Sequence, residues 1–530
     1  MIRLSRHIVR AAVAVALVAT AAVAVPELRS ADADTLHLWM MDNGLGSQKA
    51  VKKLVKKFQR DTGIPVEVRV LNWGEAYDVI TKAFASPDSV ADFPDVIQLG
   101  STWVPHFASV GSIRPLDSLI AQVDSSRFYA EAFRASHIGA GKEVYSFPWF
   151  LDVRALFANE WLWHTLGIEE SDIASYSKFM GALRAINRGE LKNSEMKRVA
   201  AFALPGHEDW TGPQQMAPFI WNFGGDFLDC RQGACTSALL DQKTLDGLAV
   251  YAAILGDEEL APQSLHENSQ QNAVRFINSE LLIHYGTSEL IRQLEFSEEA
   301  GGLRSSAIAD DGIIILPFLA SSFKSTFVGG SHLALPTGGD STKFAAAQSL
   351  LAYLLRTDNL DAYCRAVGFL PSDRGLISIW NQDRRYSQLV QSLENGKSFP
   401  NIPQWGAIEG VLIKFANDMG SMFAVTEDKA ARNHELAELL VQAHFRIMEI
   451  LGQKETEKEA GLVTRAETAF ATEIQEIEPE DLQFEPLPTP QPAWRMVFFA
   501  GIAAGLVMIA LFARLVVYFV HNRKKKGTKS

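Results

Sequence analysis

Cysteine is scarce: the 530-residue chain has three, Cys230 and Cys235 close together in "GGDFLDCRQGACTS" and Cys364 by itself. The close pair, with Gly233 between, suits a disulfide closing a hairpin loop in an oxidising compartment. A zinc site is the rival reading, although no second Cys/His pair of suitable spacing accompanies it. Cys364 falls on an expected helix and reads as a small buried apolar residue. Positive charge is also thin. With 50 Lys and Arg against 62 Asp and Glu the formal charge is −12. No basic stripe is available to release phosphate counterions, which excludes a nucleic-acid partner. Catalytic signatures are missing too. There is no G-x-S-x-G elbow and no H-E-x-x-H helix, and "GAGKEV" lacks the first Gly and the Ser/Thr of a phosphate loop. A glycosidase needs two paired carboxylates, but Asp and Glu are abundant enough here that chance pairs are expected. The expectation is a protein that is not an enzyme and uses neither metal nor cofactor.

Long apolar runs are confined to the two ends. "MIRLSRHIVR" followed by Ala11–Val25 and the small-residue sites at Ala24 and Ala33 has the pattern of a secretory signal over residues 1–33. No cysteine follows it, so an N-terminal lipid is not expected. Residues 496–520 are apolar apart from Arg514, long enough for one transmembrane helix, with Arg514 snorkelling toward the inner face. Trp494 and Tyr518 stand at interfacial depths, and Arg523–Lys526 in the tail 521–530 stay cytoplasmic by the positive-inside rule. Everything between is expected outside the cytoplasm, with the body held at the cell membrane by a single pass.

What the chain does have is alternation of the α/β kind. Strands are expected at "TLHLW", "VEVRVL" and "DVIQLG", separated by the helices "SQKAVKKLVKKFQRDTG" and "GEAYDVITKAFAS". Single helices between strands imply a parallel sheet with right-handed crossovers, and ligands of such sheets sit outside the carboxyl ends of the strands. At those ends stand Trp39 with Asp42, Trp73 with Glu75, and Trp103 beside Ser101 and Thr102. A further stretch, "YSFPWFLDVRALFANEWLW", gathers aromatic residues around Asp152.

The ordered runs "FQRDTGIPVEVRV", "FPDVIQLGSTWVPHFASVGSIRPLDSLI" and "GKEVYSFPWFLDVRALFANEWLWHTLGI" resemble extracellular solute-binding proteins of ABC importers, the maltose-binding-protein-like family. "IWNFGGDFLD", "VGGSHLALPTGGDSTKFAAAQSLLAYLLRTD", "VGFLPSD" and "FPNIPQWGAIEGVLIKFAND" continue the likeness, which spans roughly residues 35–451. The resemblance implies a two-lobed periplasmic-binding-protein-like fold of type II, with the solute in the cleft. Lobe 1 would comprise 35–147 with 313–362, and lobe 2 would comprise 150–308 with 370–451. The segment after "Y-x-x-P-W" would carry the chain across the cleft mouth, so that Trp149 and Asp152 line the site. A pyranose presents an apolar C–H face to flat rings and a rim of hydroxyls to carboxylates and amides. On that basis Trp39, Trp73, Trp103, Trp149, Trp210 and Trp405 are expected platforms, and Asp42, Glu75, Asp152 and Asp209 expected polar partners. Tyr285, beside Gly286 and His284, falls near an expected family contact, and Gly330 in "GGS" would bring backbone donors close.

The tail departs from the family. Residues 452–493 read as a charged helix followed by a Pro-rich, semi-rigid stalk, "PEDLQFEPLPTPQPAW". A stalk and transmembrane helix would concentrate the binder near a membrane partner. That partner is either an importer permease or, alternatively, an envelope signalling or assembly complex in which the chain is a sensing or scaffold subunit.

Overall fold

A computed structural model describes residues 35–472, apart from 140, 232, 298–301, 317 and 319–323. The expected signal (1–33), the last part of the stalk, the expected membrane helix (496–520) and the basic tail lie outside the described residues. Among the described residues no helix is long and apolar enough to cross a membrane.

The first helix shows how the sequence writes its own placement. Ser47–Thr62 puts Val51, Leu54, Val55 and Phe58 on one buried face and its lysines on the other. Gly63, at φ 78°, ends it by donating its N–H to Gln59 O at 2.7 Å. Three strands, β1 (Leu36–Met41), β2 (Val66–Leu71) and β3 (Val96–Gly100), pair in parallel with β1 in the middle. The edge strand β2 alternates partly buried and exposed residues, whereas β3 is buried throughout because helices cover both faces.

Two long strands then pass through both halves of the molecule. β4 (Ser146–Asn159) pairs its first half antiparallel with β9 (Thr326–Ala334), with a register shift between Pro148 and Phe150. Its second half pairs with β7 (Ile283–Thr287) and β8 (Ile313–Leu316). β9 in turn joins β3 at one end and the two-residue β11 (Gly396–Lys397) at the other, while β10 (Leu370–Pro371) borders β4. A separate hairpin, β5 (Leu228–Asp229) with β6 (Thr236–Ser237), encloses the disulfide formed by Cys230 and Cys235.

Three cores follow. One face of the parallel sheet buries Leu36, Leu38 and Met40 with Phe58, Trp149 and Tyr363. The other buries Trp39, Met41, Ile97 and Leu99 with Ile80 and Phe107. The second lobe has its own core of Phe202, Phe219, Tyr251, Leu412 and Ile447. Residues 374–393, placed with lobe 2 by the sequence reading, bury Leu376, Trp380 and Leu389 in the core of Trp149 and Tyr363. The helix Glu459–Ala471 does not start a free stalk: Leu462, Ala466, Ala469 and Phe470 bury in the lobe 2 core. The lobes are thus α/β bodies joined by shared strands.

Candidate functional site

Beyond the carboxyl ends of β1–β3 the chain turns away from the sheet, and Trp73 and Trp103 past two of those ends stay only half-buried, packed on the rim of a core. Trp73 opens the helix Trp73–Ala85, which is capped by the Asn72 side chain accepting from Gly74 N at 2.9 Å. Trp103 follows β3 after a tight turn. The two indoles lie half-buried with ring centroids 5.5 Å apart, and Tyr77 adds a third ring 5.4 Å from Trp103. Gly100 permits this: a Cβ there would come within 3.3 Å of the Trp103 ring.

The facing wall comes from the second lobe. The helix Trp405–Val425 buries Trp405, Ile408, Glu409, Leu412 and Phe415 on one stripe, so its periodicity drives a carboxylate inward. Glu409 accepts hydrogen bonds from the Trp103 side chain and, at 3.1 Å, from Gln214 Nε2. Burial pushes its carboxyl up to about 7 against those two bonds. Gln214 is 6 % exposed and its Oε1 has no partner. Tyr77 Oη approaches so near Gly406 that a Cβ there would be 2.6 Å away. Here the two lobes touch.

A second group sits where the crossover strands pass. Asp152 and Arg154 alternate onto one side of β4, their side chains 3.7 Å apart. Burial raises the Asp152 carboxyl while Arg154 opposes the shift, and Asp152 Oδ1 has no hydrogen-bond partner. Glu289, at the start of the helix Glu289–Gln293, is pushed up to about 7 by burial first, then by Asp152 and Asp42. Its carboxyl lies against Gly44, where a Cβ would sit 2.9 Å from Oε2. Gly44 has φ 81°, so glycine serves both the turn and the approach. The floor is a polar net: Asn43 Nδ2 donates to Gln98 Oε1 at 3.0 Å and Tyr363 Oη at 2.8 Å, and Gln98 Nε2 donates to Ser331 Oγ at 2.7 Å. It ties β1, β3 and β9 at one level.

Gly330 pairs with Leu151, and a Cβ there would fall 2.4 Å from Phe150 O. Its own carbonyl accepts from Ser101 N at 2.9 Å. With Ser101, Phe150 and His332 it borders a small, partly open recess along the crossover. Burial pushes His332 down to about 3, leaving a neutral ring 2.8 Å from Ser146 Oγ.

Several expected site residues lie elsewhere. Trp39 is 1 % exposed, donates Nε1–H to Asp92 O at 2.8 Å and is covered by the Arg69 guanidinium 4.4 Å from its ring. Trp149 is fully buried and stacked on Tyr363 at 4.1 Å. Trp405 is fully buried and stacked on Phe399 at 4.5 Å. These three indoles belong to three different cores and offer a solute no face. Tyr285 is likewise packed, edge-on to Phe318 and 3.4 Å from Thr326 Oγ1. Asp209 is consumed locally: its carboxylate accepts from Thr211 N and Ser269 N, each at 2.6 Å. Trp210 is 44 % exposed beside it, and Glu75 is exposed on the Trp73 helix. Past the strand ends the structure gathers Trp73 and Trp103 and adds Tyr77, Gln214 and Glu409. Separately, Asp152 and Gly330 stand on the crossover strands with Arg154, and Asp42 and Asp152 lie near enough to Glu289 to raise its carboxyl. Among the described residues no three His, Cys, Asp or Glu side chains converge as a metal ion would require.

Comparison with known proteins agrees with this architecture. The chain is 24% identical over 377 residues to the diacetylchitobiose binding protein DasA of Streptomyces coelicolor, covering 71% of this chain and 82% of that one. A solute-binding protein of Thermotoga lettingae solved with α-D-tagatose superimposes with a TM-score of 0.65 at 16% identity, covering 79% of this chain and 100% of the other. The GacH receptor of Streptomyces glaucescens, solved unliganded and with acarbose, gives 0.63 at 17% identity over 79% and 99% of the two chains. Residues 43–359, more than half of the sequence, match the bacterial extracellular solute-binding protein family, and to that family the chain belongs.

Proposed function

We propose that the chain is a membrane-tethered extracytoplasmic solute-binding protein that captures a sugar or oligosaccharide between its lobes and delivers it to an ABC importer permease. The observation behind this reading is the half-buried indole pair Trp73–Trp103 just past the strand ends, met from the other lobe by the buried Gln214–Glu409 pair. Flat rings take the C–H face of a pyranose, and carboxylate and amide oxygens accept from its hydroxyls. Relatives that bind diacetylchitobiose, tagatose and acarbose support a saccharide class. The tether rests on the apolar run 496–520. No bond is broken in this role: incubation with oligosaccharides releases no reducing ends.

In the bound state we assign Trp73, Tyr77, Trp103 and Asp42 to lobe 1 and Gln214 and Glu409 to lobe 2, with the solute taking the place of the direct contacts between Trp103 and Glu409 and between Tyr77 and Gly406. Asp152 and Gly330 stand on the strands that bend as the lobes approach. A thermal-shift screen against mono- and oligosaccharides tests the reading. A true ligand raises the melting temperature with the logarithm of its concentration over Kd. Trp103→Ala abolishes that rise while the unliganded protein still melts cooperatively. A screen in which no saccharide stabilises the protein overturns the proposal.

A further inference from the structure

Resting on the proposed membrane tether, we infer that lobe 1 carries a docking surface for anionic lipid headgroups: the lysine face of the helix Ser47–Thr62. The chain is acidic as a whole, and this one helix departs from that balance locally. Its inner face is committed to the core through Val51, Leu54, Val55 and Phe58. Its outer face presents Lys49, Lys52, Lys53, Lys56 and Arg60, all exposed. Their three- and four-residue spacing lines the five cations along one side for about 16 Å. Lys57, between the faces, is paired with Asp358 at 3.3 Å, and Arg60 with Asp61 at 3.5 Å. Asp358 is further engaged by Arg356 at 3.3 Å, so the carboxylate of the neighbouring helix is already taken. Lys49, Lys52, Lys53 and Lys56 have no ion-pair partner among the described residues.

Two features make this arrangement unfavourable for the helix alone. Like charges three and four residues apart repel, and the stripe repeats that spacing along its length. The N-terminus, where the helix dipole favours carboxylates, has none in its first turn and no side-chain cap, yet carries Lys49. An anionic surface laid against the face relieves both. Which surface follows from what the face lacks: no aromatic or large apolar side chain is exposed on this helix. Protein interfaces are anchored by aromatic and apolar groups and are depleted in lysine. A headgroup layer attracts by charge alone. Because the apolar face is packed inside lobe 1, the contact is electrostatic and does not enter the acyl region. The tether makes such a weak contact effective. The helix Glu459–Ala471 fastens the leash to lobe 2, and residues 473–495 can reach about 70 Å as an extended Pro-rich spacer. A body of this size has a radius of gyration of only about 22 Å. Lobe 1 therefore meets the bilayer as an intramolecular event, at high effective concentration.

The test places the full chain in nanodiscs of phosphatidylcholine alone and of phosphatidylcholine with one-third phosphatidylglycerol. Acetylation of each lysine by an amine-reactive ester is then followed by mass spectrometry. Lys414, with its side chain 75% exposed on the lobe 2 helix Trp405–Val425, is the internal reference. In the anionic discs Lys49, Lys52, Lys53 and Lys56 are expected to react about threefold more slowly than in neutral ones, with Lys414 unchanged. High salt screens the attraction and restores the rates. Lys52→Gln combined with Lys53→Gln touches only exposed positions and removes like-charge repulsion, so the fold is kept. In that variant the protection of Lys49 and Lys56 is expected to disappear. Equal rates in the two lipids overturn the docking surface and leave the tether standing. Protection as strong in neutral discs also overturns it, by pointing to a protein contact such as a second copy. Slowing shared by Lys414, or protection untouched by salt and by the double variant, does the same. A chain that enters neither kind of disc overturns the tether reading and this one with it.

Discussion

Trp149 Nε1 lacks a hydrogen-bond partner, yet its ring lies flat on Tyr363 and is wholly out of reach of water. Such a residue stabilises the molecule through packing, and its removal leaves a large cavity. Trp149→Ala is expected to lower stability by about 3–5 kcal/mol in chemical denaturation. Trp103, half-buried past the end of β3, is expected on the proposed function to behave in the opposite way: its alanine variant loses saccharide affinity with little change in stability. Equal loss of affinity in both variants at unchanged stability would return Trp149 to the site. The sequence placed Trp39 at a strand end because "TLHLW" reads as a complete strand. β1 in fact runs two residues further, to Met41. Both faces of the sheet are covered at β1, so Trp39 within that strand is core, whereas Trp73 and Trp103, past the ends of their strands, are half-buried. A two-residue boundary error moved Trp39 from interior to site. Glu409 was missed for the converse reason. It lies on the apolar stripe of its helix, three and four residues from neighbours that are plainly buried, and that pattern is legible on inspection.

At the scale of elements, the parallel half of the fold was legible because its helices and strands carry clean periods of 3.6 and 2. The crossover was legible through resemblance, and its long strand β4 has no alternation to read because both faces are buried. The packing of Glu459–Ala471 was hidden: a helix of mixed charge differs little in sequence from a solvated stalk, and only the partner surface decides. The β5–β6 hairpin was read correctly as a disulfide loop. It leans on the helix Lys429–Ile450, with Ser237 N donating to Met448 Sδ at 3.4 Å and Ser237 Oγ 3.0 Å from His444 Nδ1. The loop is short, so the bond restricts the unfolded chain modestly. Cys230→Ser with Cys235→Ser should reduce stability by about 2 kcal/mol and leave saccharide affinity unchanged, as denaturant titration and calorimetry would show. A drop in affinity would tie the hairpin to the cleft.

Over the whole molecule, buried titratable groups pull stability in opposite directions as pH changes. Burial holds His284 down to about 4 and His332 to about 3, so their contribution is present above about 6.5 and is lost as pH falls through those values. Glu289 and Glu409, both raised to about 7, contribute stability fully present below about 4.5 that disappears as pH rises through 7. Glu409→Gln keeps the neutral form at every pH. It should match the parent in acid and exceed its stability at alkaline pH by up to about 3 kcal/mol. Identical pH profiles would mean that Glu409 is not held out of water in the folded state. The strands β4 and β9 are paired with each other from Ser146 to Val153, with one register shift between Pro148 and Phe150, and β4 continues into the other half. Such a join behaves as a leaf spring and not as a swivel. Any opening angle must be distributed as twist over a paired ribbon, so the rest position is set by backbone geometry, and the force resisting displacement grows with the angle.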